Sequence, residues 1–69
     1  MTYAELTRKL RRLGVEFRRQ GDGSHEIWWD PRKRLYTVIT HHAGREIPNG
    51  TRRKILKDSG LTEDDLNNA

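Results

Sequence analysis

The sequence contains no cysteine, few aromatic residues and no long apolar run. Without cysteine, the chain can form neither a disulfide framework nor a thiolate metal site. No apolar stretch approaches the roughly 20 residues of a transmembrane helix, and the N-terminus lacks the apolar segment of a signal peptide. By elimination we expect a cytoplasmic protein with no membrane partner.

The chain is also short and poor in apolar residues, which make up 32% of its 69 residues. A domain of this size buries only about 60% of the surface that its unfolded chain exposes. We therefore expect one domain over residues 1–69, with its functional side chains on the surface of a thin structure. A charged fraction of 35% favours disorder. The apolar residues nevertheless recur at helix and strand spacings, which predicts a folded chain.

Positive charge is in excess, with 14 Lys and Arg against 10 Asp and Glu and a net charge of +4. Such a balance favours nucleic acid or another polyanion as partner. One basic cluster lies in the first turns of a predicted helix, where the helix dipole disfavours cations, and this placement indicates phosphate contact. For every cluster, solvated surface charge is the alternative. The predicted RNA-binding cations are Arg18, Arg19, Arg52, Arg53 and Lys54.

Apolar periodicity and turn signals predict the order helix, three strands, helix. Thr2 and Glu5 form a capping box, and Gly14 supplies a left-handed stop that Val15 closes. We expect an α+β domain of two layers, in which both helices cover one face of a three-stranded antiparallel sheet. The predicted elements are helix Tyr3–Leu13, strands Val15–Arg19, Ser24–Asp30 and Leu35–His41, helix Pro48–Ser59, and a short terminal turn opened by Thr62.

His25 is the first candidate for catalysis, because it follows Gly23 and Ser24 where a tight turn enters a strand. Glycine lets a phosphate approach closely and turn amides bind anions, so Gly23 and Ser24 are predicted to contact RNA. An imidazole, with an ordinary pKa of about 6.5, accepts or donates a proton at neutral pH. RNA carries its own nucleophile in the 2′-hydroxyl, so strand scission requires no metal. The alternative is a surface histidine after a hairpin turn.

His42 is the candidate partner of His25. If the second and third strands pair around the Pro31–Arg34 turn, His25 lies opposite Thr40 and His42 is its diagonal neighbour on the same face. The two histidines would then act as base and acid, whereas a one-residue slip would bring in His41 instead. Three histidines are enough for zinc, but the adjacent pair diverges and no acidic ligand joins it. We expect neither a metal nor another cofactor.

Trp28 and Trp29 are neighbours on the second predicted strand and therefore point to opposite faces. One belongs to the core and the other is partly exposed. The exposed ring has the chemistry to stack on a base. Completing a small core, or facing a protein partner, is the alternative.

Two segments of the chain together resemble the HicA toxin family. The first follows a helix that ends in Leu13-Gly14-Val15, and the second lies after the third strand. The resemblance covers nearly the whole chain, with both motifs in order. The segments are Arg19-Gln20-Gly21-Asp22-Gly23-Ser24-His25-Glu26-Ile27-Trp28, and His42-Ala43-Gly44-Arg45-Glu46-Ile47-Pro48-Asn49-Gly50-Thr51 followed by Ile55-Leu56-Lys57 and Ser59-Gly60-Leu61.

The resemblance implies a fold like the double-stranded-RNA-binding domain, cleavage of mRNA, neutralisation by a HicB-type antitoxin and a catalytic role for His25. Two positions depart from the family pattern: Thr40 stands where proline is frequent, and Arg52 where an aliphatic residue is common. The expected function is that of an endoribonuclease toxin. A module of the same fold that binds RNA without cutting it is the alternative.

Overall fold

A computed structural model describes residues 1–69 as a sheet with helices on one side. The three strands pair antiparallel in the order β1-β2-β3. The predicted fold class and element order are confirmed, and the terminal turn is a short third helix. The elements are α1 (Tyr3–Arg12), β1 (Glu16–Gln20), β2 (His25–Asp30), β3 (Leu35–Thr40), α2 (Asn49–Asp58) and α3 (Glu63–Asn67).

Helix α1 begins and ends as its sequence predicts. The Thr2 hydroxyl accepts from the Glu5 amide at 3.3 Å, and the Glu5 carboxylate accepts from the Thr2 amide at 3.3 Å. At the other end Gly14 has a φ of +94°, and the Val15 amide donates to the Leu10 carbonyl at 2.9 Å. These bonds satisfy backbone groups that a helix end leaves unpaired.

The middle strand β2 alternates strictly between the two faces of the sheet. Glu26, Trp28 and Asp30 are buried against the helices, whereas His25 is exposed on the other side. Because successive side chains of a strand point to opposite faces, one face of the sheet carries the core and the other is free. The core residues are Leu6, Leu10, Val15, Trp28, Ile39, Ile55, Leu56 and Leu66.

The strand register confirms the predicted pairing of β2 with β3, in which His25 lies opposite Thr40 and Trp29 opposite Tyr36. Strand β1 is irregular: Phe17 pairs with Trp28 and Arg19 with Ile27, so a bulge leaves Arg18 without a partner. A bulge inserts one extra residue and changes the face to which the following side chains point. Arg19 therefore shares the helix-free face with Ile27.

The turn between β2 and β3 supplies cations to the ends of both long helices. Arg32 donates through Nη2 to the Leu13 carbonyl at 3.1 Å, at the end of α1. Lys33 donates through Nζ to the carbonyls of Ser59 and Gly60 at 3.4 and 3.2 Å, at the end of α2. Helix C-termini present unpaired carbonyls and negative dipole ends, so both contacts favour the fold.

Replacing Gly14 with alanine is expected to destabilise the domain by about 1 to 2 kcal/mol, because a side chain in the left-handed region costs that much. An ideal Cβ at this position would also lie 2.5 Å from Arg32 Nη2. Gly50→Ala is the matched control, since a Cβ there meets no atom within 4 Å and the residue lies in α2. Alanine at position 50 should stabilise the helix by about 0.5 to 1 kcal/mol. Urea denaturation measures both changes in the free energy of unfolding. If both substitutions changed it in the same direction, the role assigned to the left-handed conformation of Gly14 would be contradicted.

Candidate functional site

The turn before β2 is held by main-chain and side-chain hydrogen bonds. The Gly21 amide donates to the His25 carbonyl at 2.8 Å, and the His25 amide donates to the Asp22 carbonyl at 3.0 Å. Gln20 Nε2 donates to the carbonyls of Gly23 and His25, each at 2.9 Å. The turn is thus a closed loop in which Gly23 adopts a φ of +56°, a conformation that glycine tolerates without strain.

The amides of Gly23 and Ser24 donate to no group of the chain. Both residues are exposed, directly before His25. Consecutive free amides in a turn form a concave site of positive partial charge that suits an oxyanion. Two free amides therefore lie at the predicted position, and contact of Gly23 and Ser24 with RNA stays a prediction.

The His25 ring is oriented by a bond to the same turn. Its Nδ1 lies 3.0 Å from the Asp22 carbonyl oxygen. A carbonyl oxygen only accepts, so Nδ1 carries a hydrogen in this bond, and in the neutral ring Nε2 is then the free base. The exposed imidazole lines a shallow cavity of about 450 Å³, whose other residues are Arg19, Gly21, Asp22, Ile27 and Val38.

Both arginines of β1 lie on the side of the sheet that carries His25. Arg19 lines the His25 cavity. The Arg18 guanidinium carbon lies 5.4 Å from the centre of the Trp29 ring, within the range of a cation–π contact. The β1 bulge places them together, because without it consecutive residues would point to opposite faces.

His42 lies beyond the end of strand β3, so the strand register does not fix its position relative to His25. Strand β3 ends at Thr40, so His42 belongs to the following loop. It lines a cavity of about 330 Å³ between the end of β3 and the start of α2, together with Arg45, Pro48 and Thr51. The residues lining the His25 cavity do not include His42. The structure therefore does not bring the two candidate catalytic histidines into one cavity.

A partly buried network that involves His41 was not predicted from the sequence. Glu26, directly after His25, accepts at Oε1 from Tyr3 Oη at 2.6 Å and from Trp28 Nε1 at 3.0 Å. Its Oε2 lies 3.5 Å from His41 Nδ1, and the rings of Tyr3 and His41 stack with centres 3.9 Å apart. The network joins α1 to β2 and the end of β3, on the face opposite His25.

The network restrains the position of His25. Because Glu26 is held towards the helices, its neighbour His25 must point to the opposite, open side. Burial, followed by the hydrogen bond and charge of Glu26, raises the pKa of Tyr3 to about 12. The sequence did offer one signal for this network, a glutamate at an inward position of an alternating strand. It did not identify the partner of Glu26, because Tyr3 lies in another element.

The predicted basic cluster of α2 is largely engaged within the chain. Arg52 Nη2 donates to Glu63 Oε2 at 3.2 Å, and its Nε lies 3.1 Å from Glu63 Oε1 in a geometry that makes no hydrogen bond. Lys54 donates to Asp58 Oδ2 at 2.9 Å, which lowers the pKa of Asp58 below its ordinary value. Of the three cations, Arg53 alone has no partner and is exposed. Contact of these side chains with RNA stays a prediction.

No group of three or more histidine and acidic side chains is arranged to hold a metal ion. None of the helices is both long and apolar enough to cross a membrane.

The fold and the site define a small α+β domain that presents an exposed histidine, oriented by a tight turn, on the same side of the sheet as two arginines. Comparison with known proteins identifies the family to which such a domain belongs. The family described as HicA toxin of bacterial toxin-antitoxin matches residues 3–61. The "Probable mRNA interferase HicA" of Pseudomonas fluorescens (strain Pf0-1) is similar, with 36% identity over 64 residues that span 91% of this chain and all of the relative.

The chain belongs to the HicA toxin family of bacterial toxin–antitoxin systems. The resemblance found in its two sequence motifs is thereby confirmed. No solved structure matches the chain.

Replacing Tyr3 with phenylalanine is expected to destabilise the domain by about 1.5 to 3 kcal/mol, the usual value of a hydrogen bond to a charged group. The difference from the parent should shrink as pH rises from 10 towards 12. In that window the unfolded tyrosine has lost its proton while the folded one retains it, so the parent loses stability. Urea titrations of both proteins between pH 8 and 11.5 measure the difference. A difference that stays constant over this pH range would contradict the raised pKa of Tyr3.

Proposed function

We propose that the protein is the RNA-cleaving toxin of a toxin–antitoxin pair, an endoribonuclease that cuts mRNA with His25 as its catalytic acid and base. The observation that carries the proposal is the orientation of His25, whose Nδ1 is held by the Asp22 carbonyl while its exposed ring lines a cavity shared with Arg19. Membership of the HicA family and the mRNA interferase name of the relative support the same activity.

The geometry fits a transfer reaction within the RNA strand. Nε2 of His25 accepts the proton of the 2′-hydroxyl, whose oxygen attacks the adjacent phosphorus and forms a new P–O bond. The bond from phosphorus to the 5′-oxygen breaks, and that oxygen takes up the proton that Nε2 of His25 accepted. The products are a 2′,3′-cyclic phosphate and a 5′-hydroxyl end. The chemistry uses a proton acceptor, a proton donor and anion binding, and its nucleophile belongs to the substrate.

The groups around His25 supply the anion binding that the reaction needs. The proposal assigns a phosphate oxygen to the Gly23 and Ser24 amides, which have no partner in the chain. Arg19 lines the cavity of His25 and supplies a positive charge there. Hydrogen-bond donors aimed at developing charge are a large term in enzyme catalysis, since they need no reorganisation when the charge forms. The proposal includes a HicB-type antitoxin as the partner that neutralises the activity, in keeping with the toxin–antitoxin family.

His25→Ala is expected to lower RNA cleavage by about 10²- to 10⁴-fold, the usual contribution of a general acid or base. Its affinity for RNA should change little, because phosphate contacts do not depend on the imidazole. Cleavage of a labelled single-stranded RNA and growth of cells producing the variant measure the two effects. An RNA carrying a 2′-deoxy group at the cleavage site is the control and should resist the parent protein. Full cleavage by His25→Ala would exclude the catalytic role and leave a module that only binds RNA.

The role of His42 is tested separately by the pH dependence of cleavage. If His42 donates the proton to the leaving group, His42→Ala removes one limb of the pH–rate profile and lowers the maximal rate. Its position beside Arg45 and α2, in a cavity that His25 does not line, favours an unchanged profile. We expect the rate and profile of His42→Ala to match those of the parent. Loss of a limb would restore the two-histidine mechanism.

A further inference from the structure

The face of the sheet opposite the helices, here called the open face, has no second layer of structure. Its centre consists of three cross-strand pairs from β2 and β3. His25 lies at one end of this series and the two aromatic residues at the other. The pairs are His25 with Thr40, Ile27 with Val38, and Trp29 with Tyr36.

The aromatic end of the open face is a stacking surface. Trp29 and Tyr36 lie directly opposite each other, where side chains on paired strands are in contact distance. Tyr36 is 63% exposed and Val38 41%. The Arg18 guanidinium lies over the Trp29 ring, with 5.4 Å between its carbon and the ring centre. Planar rings with an adjacent cation are the groups on which unpaired bases stack.

Two shallow cavities connect this aromatic end to His25. One, of about 260 Å³, is lined by Arg18, Trp29 and Tyr36. The other, of about 450 Å³, is lined by His25 and Val38. Arg19 and Ile27 line both cavities, so they form one groove. Trp29 lies four residues along β2 from His25, which is about 13 Å at the rise of a strand.

The charge on the open face favours an anionic ligand with apolar parts. Arg18 and Arg19 border the groove, and neither makes an ion pair within the chain. Glu16, paired with Trp29 at the edge of the sheet, is the one acidic strand residue on this side. A nucleic acid strand has alternating flat bases and phosphates, which match rings and guanidinium groups respectively.

We propose that the open face binds single-stranded RNA, with bases stacked on Trp29 and Tyr36 while the phosphate to be cut lies at His25. Duplex RNA does not fit this surface, because its bases are stacked inside the helix and cannot reach the rings. The inference rests on the proposed RNA cleavage and adds a substrate class. The toxin should require several unpaired nucleotides to one side of its cleavage site.

Tryptophan fluorescence tests the proposal directly, because Trp28 is fully buried and Trp29 is partly exposed. The full chain carrying His25→Ala is titrated with an unstructured RNA of about ten nucleotides, within the site sizes usual for such surfaces. Stacking on Trp29 quenches its fluorescence. The same RNA in a perfect duplex should produce no quenching and bind more weakly. Trp29→Phe should remove the signal while its smaller ring preserves the fold.

Substitutions separate stacking from general charge attraction. Tyr36→Ala should weaken binding of the single strand by roughly 5- to 150-fold, the range measured for removal of one stacking side chain. Tyr36→Phe should restore most of the affinity, since it retains the ring. Arg18→Gln should weaken binding more than Lys57→Gln, the matched control, because Lys57 is an exposed cation on α2. Abasic substitution of one nucleotide at a time should reduce binding at only a few positions.

Unchanged fluorescence on RNA binding, or equal affinities of the parent and Tyr36→Ala, would overturn the proposal. Equal affinity for duplex and single-stranded RNA would also overturn it. A Tyr36→Ala variant that binds RNA normally but has lost antitoxin binding would do the same, because the open face would then be a protein interface. Failure of the proposed RNA cleavage gives a different result from failure of the stacking surface. In that case the chain with His25 intact would not cleave RNA at all. Cleavage that is unaffected by Tyr36→Ala would leave that function standing and reject only the stacking surface.

Discussion

Strand β2 lies in the middle of the sheet, so each of its residues must face either the helices or solvent. Glu26, Trp28 and Asp30 take the inner positions, where the core and its hydrogen bonds hold them. His25 and Trp29 are then required to point outwards by the pleat of the strand. A slip of one residue would bury the histidine and expose the largest core side chain. The proposed function of the domain therefore depends on the same register as its stability.

The excess of positive charge is divided between two tasks that the sequence does not distinguish. Arg32 and Lys33 neutralise the carbonyl ends of α1 and α2, and Arg52 and Lys54 pair with carboxylates. These cations support the fold of a small domain with a limited core. Arg18 and Arg19 have no such partners, because the β1 bulge places them over the open face. A cluster of cations in a sequence is therefore a poor guide to an anion-binding surface until the register is known.

The element order, the caps of α1 and the pairing of His25 with Thr40 followed from the sequence, because each rests on neighbouring residues or on a short turn. The Tyr3–Glu26 bond was not predictable in this way, since it joins residues far apart in the chain. The same holds for His42. Its loop is fixed by the N-terminus: the Ile47 amide donates to the Met1 carbonyl at 2.9 Å, and the Met1 ammonium pairs with Glu46. The last backbone bond between the two strand ends is donated by the His41 amide to the Ser24 carbonyl at 2.9 Å, so His42 lies beyond the pairing.

An acid–base histidine on a surface needs both exposure and a fixed direction, which usually conflict, because exposed side chains are mobile. In this domain the two requirements are met by different residues. The turn carbonyl of Asp22 holds Nδ1 from the solvent side, while the buried carboxylate of Glu26 fixes the adjoining backbone from the core side. His25 is then ordered without being enclosed, as the proposed cleavage of a flexible RNA strand requires. Such a site requires no deep cleft, which a chain of 69 residues has no room to form.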